Sequence, residues 1–226
     1  MLSIYIGYDP RESVAFHTLS HSILRRSSVP VSIAPLVQGQ LRHIYRRPRG
    51  PTESTEFSLT RFLVPALSEY RGWSVFMDCD MLCRVDIAQL AQEIERQPDK
   101  AVLVCQHDYV PKTERKFLGH VQTRYARKNW SSLMVFNNAR CRALGTDYVN
   151  AASGLELHRF AWIDDAAIGA LPLEWNWLVT EYPHNAKARI VHFTLGGPYF
   201  PEYANCDYSE EWRAEFESMR QCASSG

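Results

Sequence analysis

Two aspartates, separated by one residue, follow an apolar run of the sequence. The run is WSVFM (73–77), and Asp78 and Asp80 come directly after it. Residues two apart on a strand face the same way, so the two carboxylates can converge. Converging carboxylates repel each other unless a cation lies between them. Carboxylate oxygens suit Mg²⁺ or Mn²⁺ together with substrate phosphates, so the pair indicates a metal site for a diphosphate.

Two other interpretations of this pair stay open at this point. In the first, the aspartates are solvated acids at the turn that ends a strand. In the second, they belong to a phosphatase of the haloacid dehalogenase type, in which D-x-D-x-Thr/Val follows an apolar strand. Position 82 is Leu82, and more than 70 residues precede the pair, whereas that motif normally opens its domain. Both observations argue against the phosphatase.

The elements around the aspartates alternate between strands and helices. Apolar, β-prone runs predict strands at 3–8, 31–36, 74–77, 101–105, 132–136 and 189–193. Helices are predicted after the capping residues Asp9, Asp86 and Ser209, and over 57–70 and 140–153. This order favours an α/β fold, a single domain over 1–226 with a mostly parallel central sheet flanked by helices. Ligands of such sheets bind beyond the carboxyl ends of the strands, where the aspartates lie.

Composition excludes several classes of protein. Lysine and arginine together number 25, as do aspartate and glutamate, so the formal net charge is zero, which argues against a general nucleic-acid binder. We find neither a secretory leader nor an apolar run of about 20 residues that could span a membrane. The six cysteines are scattered and form no zinc pattern, which predicts reduced thiols and a cytoplasmic protein.

One segment of the chain is strongly basic. Residues 42–50 read RHIYRRPRG, and Pro and Gly mark the segment as a loop. The sequence favours a solvated loop face here. Contact with an anionic membrane surface or with an acidic acceptor is the alternative that the segment leaves open.

Seven short segments occur in a telling order: IYIGYD (4–9), LTRFLVPAL (59–67), VFMDCDML (75–82), MVFNNA (134–139), WIDDAAIGAL (162–171), LPLEWNW (171–177) and IVHFTLGGP (190–198). Together they resemble the family 8-type glycosyltransferases of the GT-A fold, the class of glycogenin and the bacterial galactosyltransferases. The resemblance implies a Rossmann-like GT-A domain that covers most of the chain. It also implies a nucleoside-diphosphate sugar as donor, a UDP-linked hexose being expected, and a hydroxyl acceptor such as a saccharide.

The resemblance implies a set of metal ligands. Asp78, Asp80 and His192 would hold Mn²⁺ or Mg²⁺ against the two phosphates of the donor, and a neutral imidazole suits Mn²⁺ better than Mg²⁺. The other interpretation of His192 is a hydrogen-bonded histidine of the core. The metal would neutralise charge on the departing nucleoside diphosphate.

The resemblance also implies residues that contact the nucleotide and residues that take part in catalysis. The first group is Tyr8, Asp9, Arg61, Asp78, Asn137, Gly196 and Gly197. The second group is Asn138, Asp164 and Asp165, near the transferred sugar. Simpler roles are open for several of them, because Asp9 can be only a helix cap, Arg61 a surface residue, and the two asparagines a turn.

Two departures from the family pattern concern the reacting groups. Asp165 stands where the family has an amide, so its role is open between nucleophile, acceptor of a hydrogen bond from the donor sugar, and acceptor-binding group. No lysine follows the His-Gly loop, where the family has Lys-Pro-Trp. The basic strip 111–128 could supply the missing charge as a lid, and Lys116 is the candidate there.

The sequence thus predicts a metal-dependent hexosyltransferase, and the resemblance implies retention of the anomeric configuration. The second-ranked alternative is a nucleotidyltransferase of similar fold. Nucleotidyltransferases typically have a first βα loop rich in Gly, whereas this chain has one glycine there. A non-catalytic relative that binds sugar or nucleotide is third. No nucleic-acid partner is expected, and a peripheral membrane contact is left open.

Overall fold

The computed structural model describes residues 1–50, 53–108, 115–116, 120–121 and 126–221, the two short pieces at the level of the backbone only. In chain order, the strands of these residues are β1 (Leu2–Gly7), β2 (Val31–Leu36), β3 (Trp73–Met77), β4 (Met81–Cys83), β5 (Val102–Cys105), β6 (Arg115–Lys116), β7 (His120–Val121), β8 (Leu133–Asn137), β9 (Ile168–Leu171), β10 (Trp177–Leu178) and β11 (Ile190–His192). The helices are α1 (Ser13–Arg26), α2 (Val64–Leu67), α3 (Leu90–Arg96), α4 (Thr146–Ala151), α5 (Gly154–His158) and α6 (Ser209–Arg220).

A six-stranded sheet in the order β2-β1-β3-β8-β5-β9 forms the centre of the fold. β1 pairs in parallel with β2 and β3, and β5 pairs in parallel with β9. β8 runs antiparallel to both of its neighbours, β3 and β5. The sheet is therefore mostly parallel with one reversed strand, which confirms the predicted fold class. The reversal matters for the site, because β8 begins at the edge where the parallel strands end.

A second, three-stranded sheet lies beside the carboxyl end of β3. Its order is β10-β11-β4, with β10 parallel and β4 antiparallel to β11. β4 is only three residues long and directly follows the aspartates, so its apolar pattern is too short to predict a strand. This sheet was not predicted, apart from its strand β11.

Local capping explains where several helices begin. The Asp9 side chain accepts from the backbone N–H of Arg11, 3.0 Å away, and Asp86 accepts from that of Ala88 at 2.9 Å, which confirms both predicted caps. Ser209 is not the cap of α6, because Tyr208 occupies that position with a φ of 61°.

Two predicted helices are shorter in the structure. The predicted helix 140–153 is reduced to α4, because α4 begins only after Gly145 and its last turn gives way to the separate helix α5. The predicted helix 57–70 is a 3₁₀ turn at Thr60–Leu63 followed by α2, which carries Pro65 in its first turn, where proline is tolerated.

The main hydrophobic core lies on both faces of the central sheet. β3, β5 and β8 are almost entirely buried, as expected of strands covered on both sides. Gly7 ends β1 against the ring of Phe57, and a Cβ on Gly7 would lie 2.3 Å from that ring. Glycine is therefore required at this strand end for Phe57 to pack there.

The five cysteines within the described ranges are all free thiols. Among the helices of the same ranges, none combines the length and the apolar character that crossing a membrane demands.

Candidate active site

The two sheets bring Asp78, Asp80 and His192 together. Asp78 and Asp80 lie in the bend between β3 and β4. His192 is the last residue of β11, and it pairs with Met81, the residue that follows Asp80. The backbone N–H of Phe193 donates to the carbonyl of Asp80 at 2.8 Å, which fixes the end of β11 on the aspartate bend.

The three side chains converge on one point. Nε2 of His192 lies 3.2 Å from Oδ1 of Asp80 and 3.9 Å from Oδ2 of Asp78. One ligand atom from each of the three residues lies within 4.8 Å of the others. His192 is buried and the two carboxylates are half-buried, so the cluster opens to solvent on its acidic side.

Asn176 sets the tautomer of His192. Its Oδ1 lies 2.9 Å from Nδ1 of His192, and its Nδ2 lies 3.3 Å from the carbonyl of Asn129. A carbonyl oxygen only accepts, so the amide nitrogen must face Asn129 and the amide oxygen must face the imidazole. Nδ1 therefore carries a proton, and Nε2 is the ring nitrogen that faces the aspartates.

These residues fit a divalent cation. Oδ1 of Asp80 is buried and has no hydrogen-bond partner among the described residues, although Nε2 of His192 is near. Two carboxylates that converge in this way repel each other unless a cation lies between them. Adjacent ligand atoms of an octahedral ion at 2.0–2.1 Å lie about 3 Å apart, close to the 3.2 Å that separates Nε2 of His192 from Asp80. Two carboxylates and one imidazole suit Mn²⁺ by ligand type.

Arg61 holds one of the two aspartates. Its Nη1 lies 2.8 Å from Oδ1 of Asp78 and donates to the carbonyl of Ser131 at 2.9 Å. The side chain is only 7% exposed, and its guanidinium stacks over the ring of Phe76 at 4.9 Å. Arg61 is therefore a buried residue that positions an aspartate, rather than the surface arginine that its sequence context left open.

The residues at the start of β8 hold Asp78 and Asn176 in place. The backbone N–H of Asp78 donates to the carbonyl of Ser132 at 2.9 Å, and Nδ2 of Asn176 donates to Oγ of Ser132 at 2.7 Å. Ser131 and Ser132 thus connect Arg61, Asp78 and Asn176 through one turn. Asn129 opens that turn in the left-handed region, with a φ of 62°, which asparagine tolerates better than most residues.

Comparison with known proteins gives a clear relative. Over 228 residues, the chain is 45% identical to Protein CDI of Arabidopsis thaliana, a stretch that covers 96% of this chain and 87% of that protein. The chain belongs to the CDI family. No protein-family model matches it.

Solved structures share the fold of this CDI-family chain. The bifunctional glycosyltransferase WbbM in its apo form has a TM-score of 0.68 at 14% identity, over 95% of this chain and 49% of WbbM. The chain thus spans about half the length of WbbM. LgtC, a galactosyltransferase solved with donor and acceptor sugar analogues, has a TM-score of 0.57 at 10% identity, over 99% of this chain and 98% of LgtC. The CDI-family chain therefore has the GT-A glycosyltransferase fold, and the resemblance drawn from the sequence is confirmed for the fold.

Asn137 and Asn138 do not lie at the cluster of Asp78, Asp80 and His192 in the CDI-family chain. Asn137 pairs with Trp73, five residues before Asp78, so about 16 Å of strand separates them. Asn138 is fully buried, and its amide is engaged by Ser74 and by the carbonyl of Arg71. The expectation failed because β8 runs antiparallel and its end lies at the opposite edge of the sheet. Ser131 and Ser132, at its start, were missed for the same reason.

Asp164 and Asp165 are not brought to the cluster either. Both are exposed and precede β9, and Oδ1 of Asp165 pairs with Arg127 at 2.6 Å instead. A catalytic role for them therefore has no support in the geometry of the cluster.

The residues predicted to contact the nucleotide differ in their burial and in their partners. The carboxylate of Asp9 is fully buried and accepts from Arg11 and from the backbone of Glu56, which leaves it no room for a nucleotide base. Burial alone would raise the pKa of Asp9, but these hydrogen bonds outweigh burial and lower it. Tyr8 follows β1 and packs edge-on against Phe16, half-buried.

The two glycines of the terminal loop form a tight turn. Gly196 has a φ of 140°, and a Cβ on Gly197 would lie 2.2 Å from the ring of Tyr199. The turn is buried against tyrosines, so both glycines serve packing here. The side chain of Lys116 lies outside the described residues.

Glu12 is a buried acid behind the cluster. Its Oε2 accepts from the hydroxyl of Tyr199 at 2.8 Å, and it also hydrogen-bonds to Cys79, which lies between the two aspartates. Burial and, after it, the negative charge of Asp80 raise the pKa of Glu12 to about 8. The folded protein thus keeps this carboxyl protonated, whereas the unfolded chain ionises it near its ordinary pKa of 4.5.

This difference predicts a pH effect on stability. The stabilisation from the neutral carboxyl is fully present below pH 4.5 and is lost as the pH rises through about 8, by up to about 1.4 kcal/mol per pH unit. Glu12→Gln, which mimics the neutral acid, should raise the melting temperature relative to wild type at pH 8 and much less at pH 5. Thermal unfolding in chelator at both values measures this. Glu202→Gln, at an exposed glutamate, is the control, and equal shifts of the Glu12 variant at the two pH values would contradict the prediction.

Asn176 should govern metal affinity without touching the metal. Asn176→Ala removes the group that fixes Nδ1–H of His192, and loss of such partners typically weakens metal binding about 10–100-fold. Titration with Mn²⁺, followed by electron paramagnetic resonance, measures the dissociation constant. Asn205→Ala, at an exposed asparagine, is the matched control. Unchanged Mn²⁺ affinity in Asn176→Ala would show that the amide does not orient the imidazole.

Proposed function

We propose that this protein is a metal-dependent glycosyltransferase that transfers a hexose from a nucleoside-diphosphate sugar, UDP-linked, to a hydroxyl acceptor. One observation carries the proposal. At the edge of a GT-A sheet, two carboxylates and an imidazole with its proton held on the far nitrogen converge on a point open to solvent. A cation held at this point would compensate the two carboxylates, and it would face the space beyond the strand ends where ligands of such sheets bind.

The residues of the chain have separate tasks in this proposal. Asp78, Asp80 and His192 hold the cation, which when bound supplies positive charge to neutralise the departing diphosphate. Arg61 keeps Asp78 in place through a short ion pair, and Asn176 keeps His192 in the tautomer that offers Nε2. The buried turn of Ser131 and Ser132 holds these supports together, so the ligand atoms are preorganised before a donor arrives.

The finer points of the proposal follow the sequence resemblance. It favours a UDP-linked hexose as donor, Mn²⁺ as metal and retention of the anomeric configuration. LgtC, which shares the fold, was solved with donor and acceptor sugar analogues, which supports a two-substrate transfer. Two aspartates named from the sequence, Asp164 and Asp165, are not part of the proposed machinery.

A screen of nucleotide sugars tests the proposal. Thermal shift with and without Mn²⁺ should reveal a stabilising donor only when the metal is present, and that donor should then be hydrolysed slowly to the nucleoside diphosphate and free sugar. Binding without hydrolysis would indicate a non-catalytic relative. Release of pyrophosphate from a nucleoside triphosphate and a sugar phosphate would instead indicate a nucleotidyltransferase. The anomer formed from the donor, followed by proton NMR, decides between retention and inversion.

A further inference from the structure

A cavity of about 530 Å³ lies beyond the carboxyl end of β2, at the edge of the central sheet. Its walls include Arg42, Tyr45, Arg46 and Arg47 from the basic segment, and Glu56 from the chain that follows. Asp78, Asp80 and His192 are not among the lining residues. The volume falls within the range of sites that hold small molecules.

The three arginines of this cavity form no ion pair within the described part of the chain. Arg11, Arg61, Arg84 and Arg127 each pair with a carboxylate at 2.8 Å or closer. By contrast, the guanidinium groups of Arg42, Arg46 and Arg47 form no ion pair within 4.0 Å with any described residue. Three cations surround one concavity, with Glu56 in the lining and Glu53 beside Tyr45, so the site has an excess of positive charge.

Helix α4 holds the arginines in place. Asn150 accepts from the backbone N–H of Arg46 at 2.7 Å and donates to the carbonyl of Ile44 at 2.8 Å. Nη1 of Arg47 donates to the carbonyls of Val149 and Ala152, at 3.0 and 2.6 Å. The basic segment is therefore not a loose solvated loop, because its backbone is fixed to a neighbouring helix in a conformation that gathers the charges.

Two donors in the wall, and one carboxylate oxygen beside them, are buried without a hydrogen-bond partner among the described residues. The oxygen is Oε2 of Glu53, whose negative charge acts on Tyr45. The hydroxyl of Tyr45, a residue only 4% exposed, and Nε of Arg47 are buried, and neither has a hydrogen-bond partner among the described residues. Buried polar groups are normally paired, and each exception asks for an explanation. These donors lie beside three guanidinium groups, which outnumber the nearby acids Glu53 and Glu56, and this favours an anionic acceptor over a cation or an apolar ligand.

We propose that this cavity binds the phosphate group of a small polyhydroxylated molecule, a sugar phosphate or polyol phosphate. Arginine forms bidentate, charge-assisted hydrogen bonds to phosphate oxygens, which suits the exposed Arg42 and Arg46. Glu56 and Gln38, which also line the cavity, are placed to bond hydroxyl groups of the same molecule. The concave shape suits a small ligand better than a flat membrane surface. The site needs no metal, and none of the three proposed metal ligands lines it.

Calorimetric titration in chelator, with a hexose monophosphate as the probe, tests the proposal. Wild type should bind it saturably, and Arg42→Gln/Arg46→Gln should bind it at least about tenfold more weakly, since a hydrogen bond to a charged group contributes roughly a factor of ten. Both side chains are exposed, so the melting temperature of the double variant should match wild type. Arg71→Gln/Arg140→Gln removes the same charge elsewhere and should bind like wild type.

Two further arms separate the outcomes. Asp80→Asn should leave the affinity for hexose monophosphate unchanged, which keeps this result independent of the proposed transferase site. The idea fails if wild type does not bind the probe saturably, or if Arg42→Gln/Arg46→Gln binds it with unchanged affinity. Arginine-dependent binding to vesicles of anionic lipid, without binding of hexose monophosphate, would overturn it in favour of a membrane surface.

Discussion

Asp80→Asn is expected to lower turnover of the donor by about three orders of magnitude. The substitution keeps the shape of the side chain but removes the charge of a carboxylate whose Oδ1 is buried without a hydrogen-bond partner among the described residues. A bound cation contributes several kcal/mol to stabilising charge in the transition state, and about 4 kcal/mol corresponds to a factor of one thousand. Release of nucleoside diphosphate from the sugar nucleotide, with Mn²⁺ in excess, measures the effect.

Metal removal from the wild type should produce the same loss. Chelation followed by addition of Mn²⁺ should restore the wild type but not Asp80→Asn, because only the wild type regains all three ligands. Asp99→Asn, at an exposed aspartate in a turn, should keep full activity. Two results would show that the cluster does not act through a cation. One is turnover by the chelated wild type, and the other is a turnover rate of Asp80→Asn within threefold of that of the Mn²⁺-loaded wild type.

The sequence was sufficient to place the metal candidates because their positions follow from strand ends. Asp78 and Asp80 come after a run of five residues, four of them fully buried, and His192 ends another apolar run. His192 ends a strand of the other sheet, and more than 100 positions separate it from the aspartates in sequence. The sequence did not reveal which element brings His192 to the aspartates. The three residues of β4 pair His192 with Met81, and a strand of that length has no readable period.

Strand direction explains the largest error. An apolar run such as LMVFN gives the same pattern whichever way the strand points in the sheet. Taken as parallel, β8 would deliver Asn137 and Asn138 to the aspartates, whereas the observed antiparallel strand delivers Ser131 and Ser132. Direction is decided by the connections and by pairing with β3 and β5, which are tertiary facts.

Supporting residues were visible in the sequence without their roles. Asn176 lay in the segment LPLEWNW, but only coordinates show its amide against His192. The sequence leaves Arg61 open between a nucleotide contact, which stays a prediction, and a surface arginine, whereas its guanidinium is buried on Asp78. Burial decides against a surface arginine, and the sequence of a short apolar segment does not predict whether its single arginine is buried.

Arg61→Leu is expected to destabilise the metal-free protein by about 3–5 kcal/mol, because it removes the guanidinium that pairs with the partly buried carboxylate of Asp78. The loss includes the hydrogen bond to Ser131 and the stacking on Phe76. In an Asp78→Asn background the same substitution should cost roughly 2 kcal/mol less, since residue 78 then carries no charge. Urea unfolding of the four proteins in chelator gives the coupling energy. An equal cost in both backgrounds would mean that Arg61 acts through packing alone, and that Asp78 owes its position to the Ser131–Ser132 turn rather than to the ion pair.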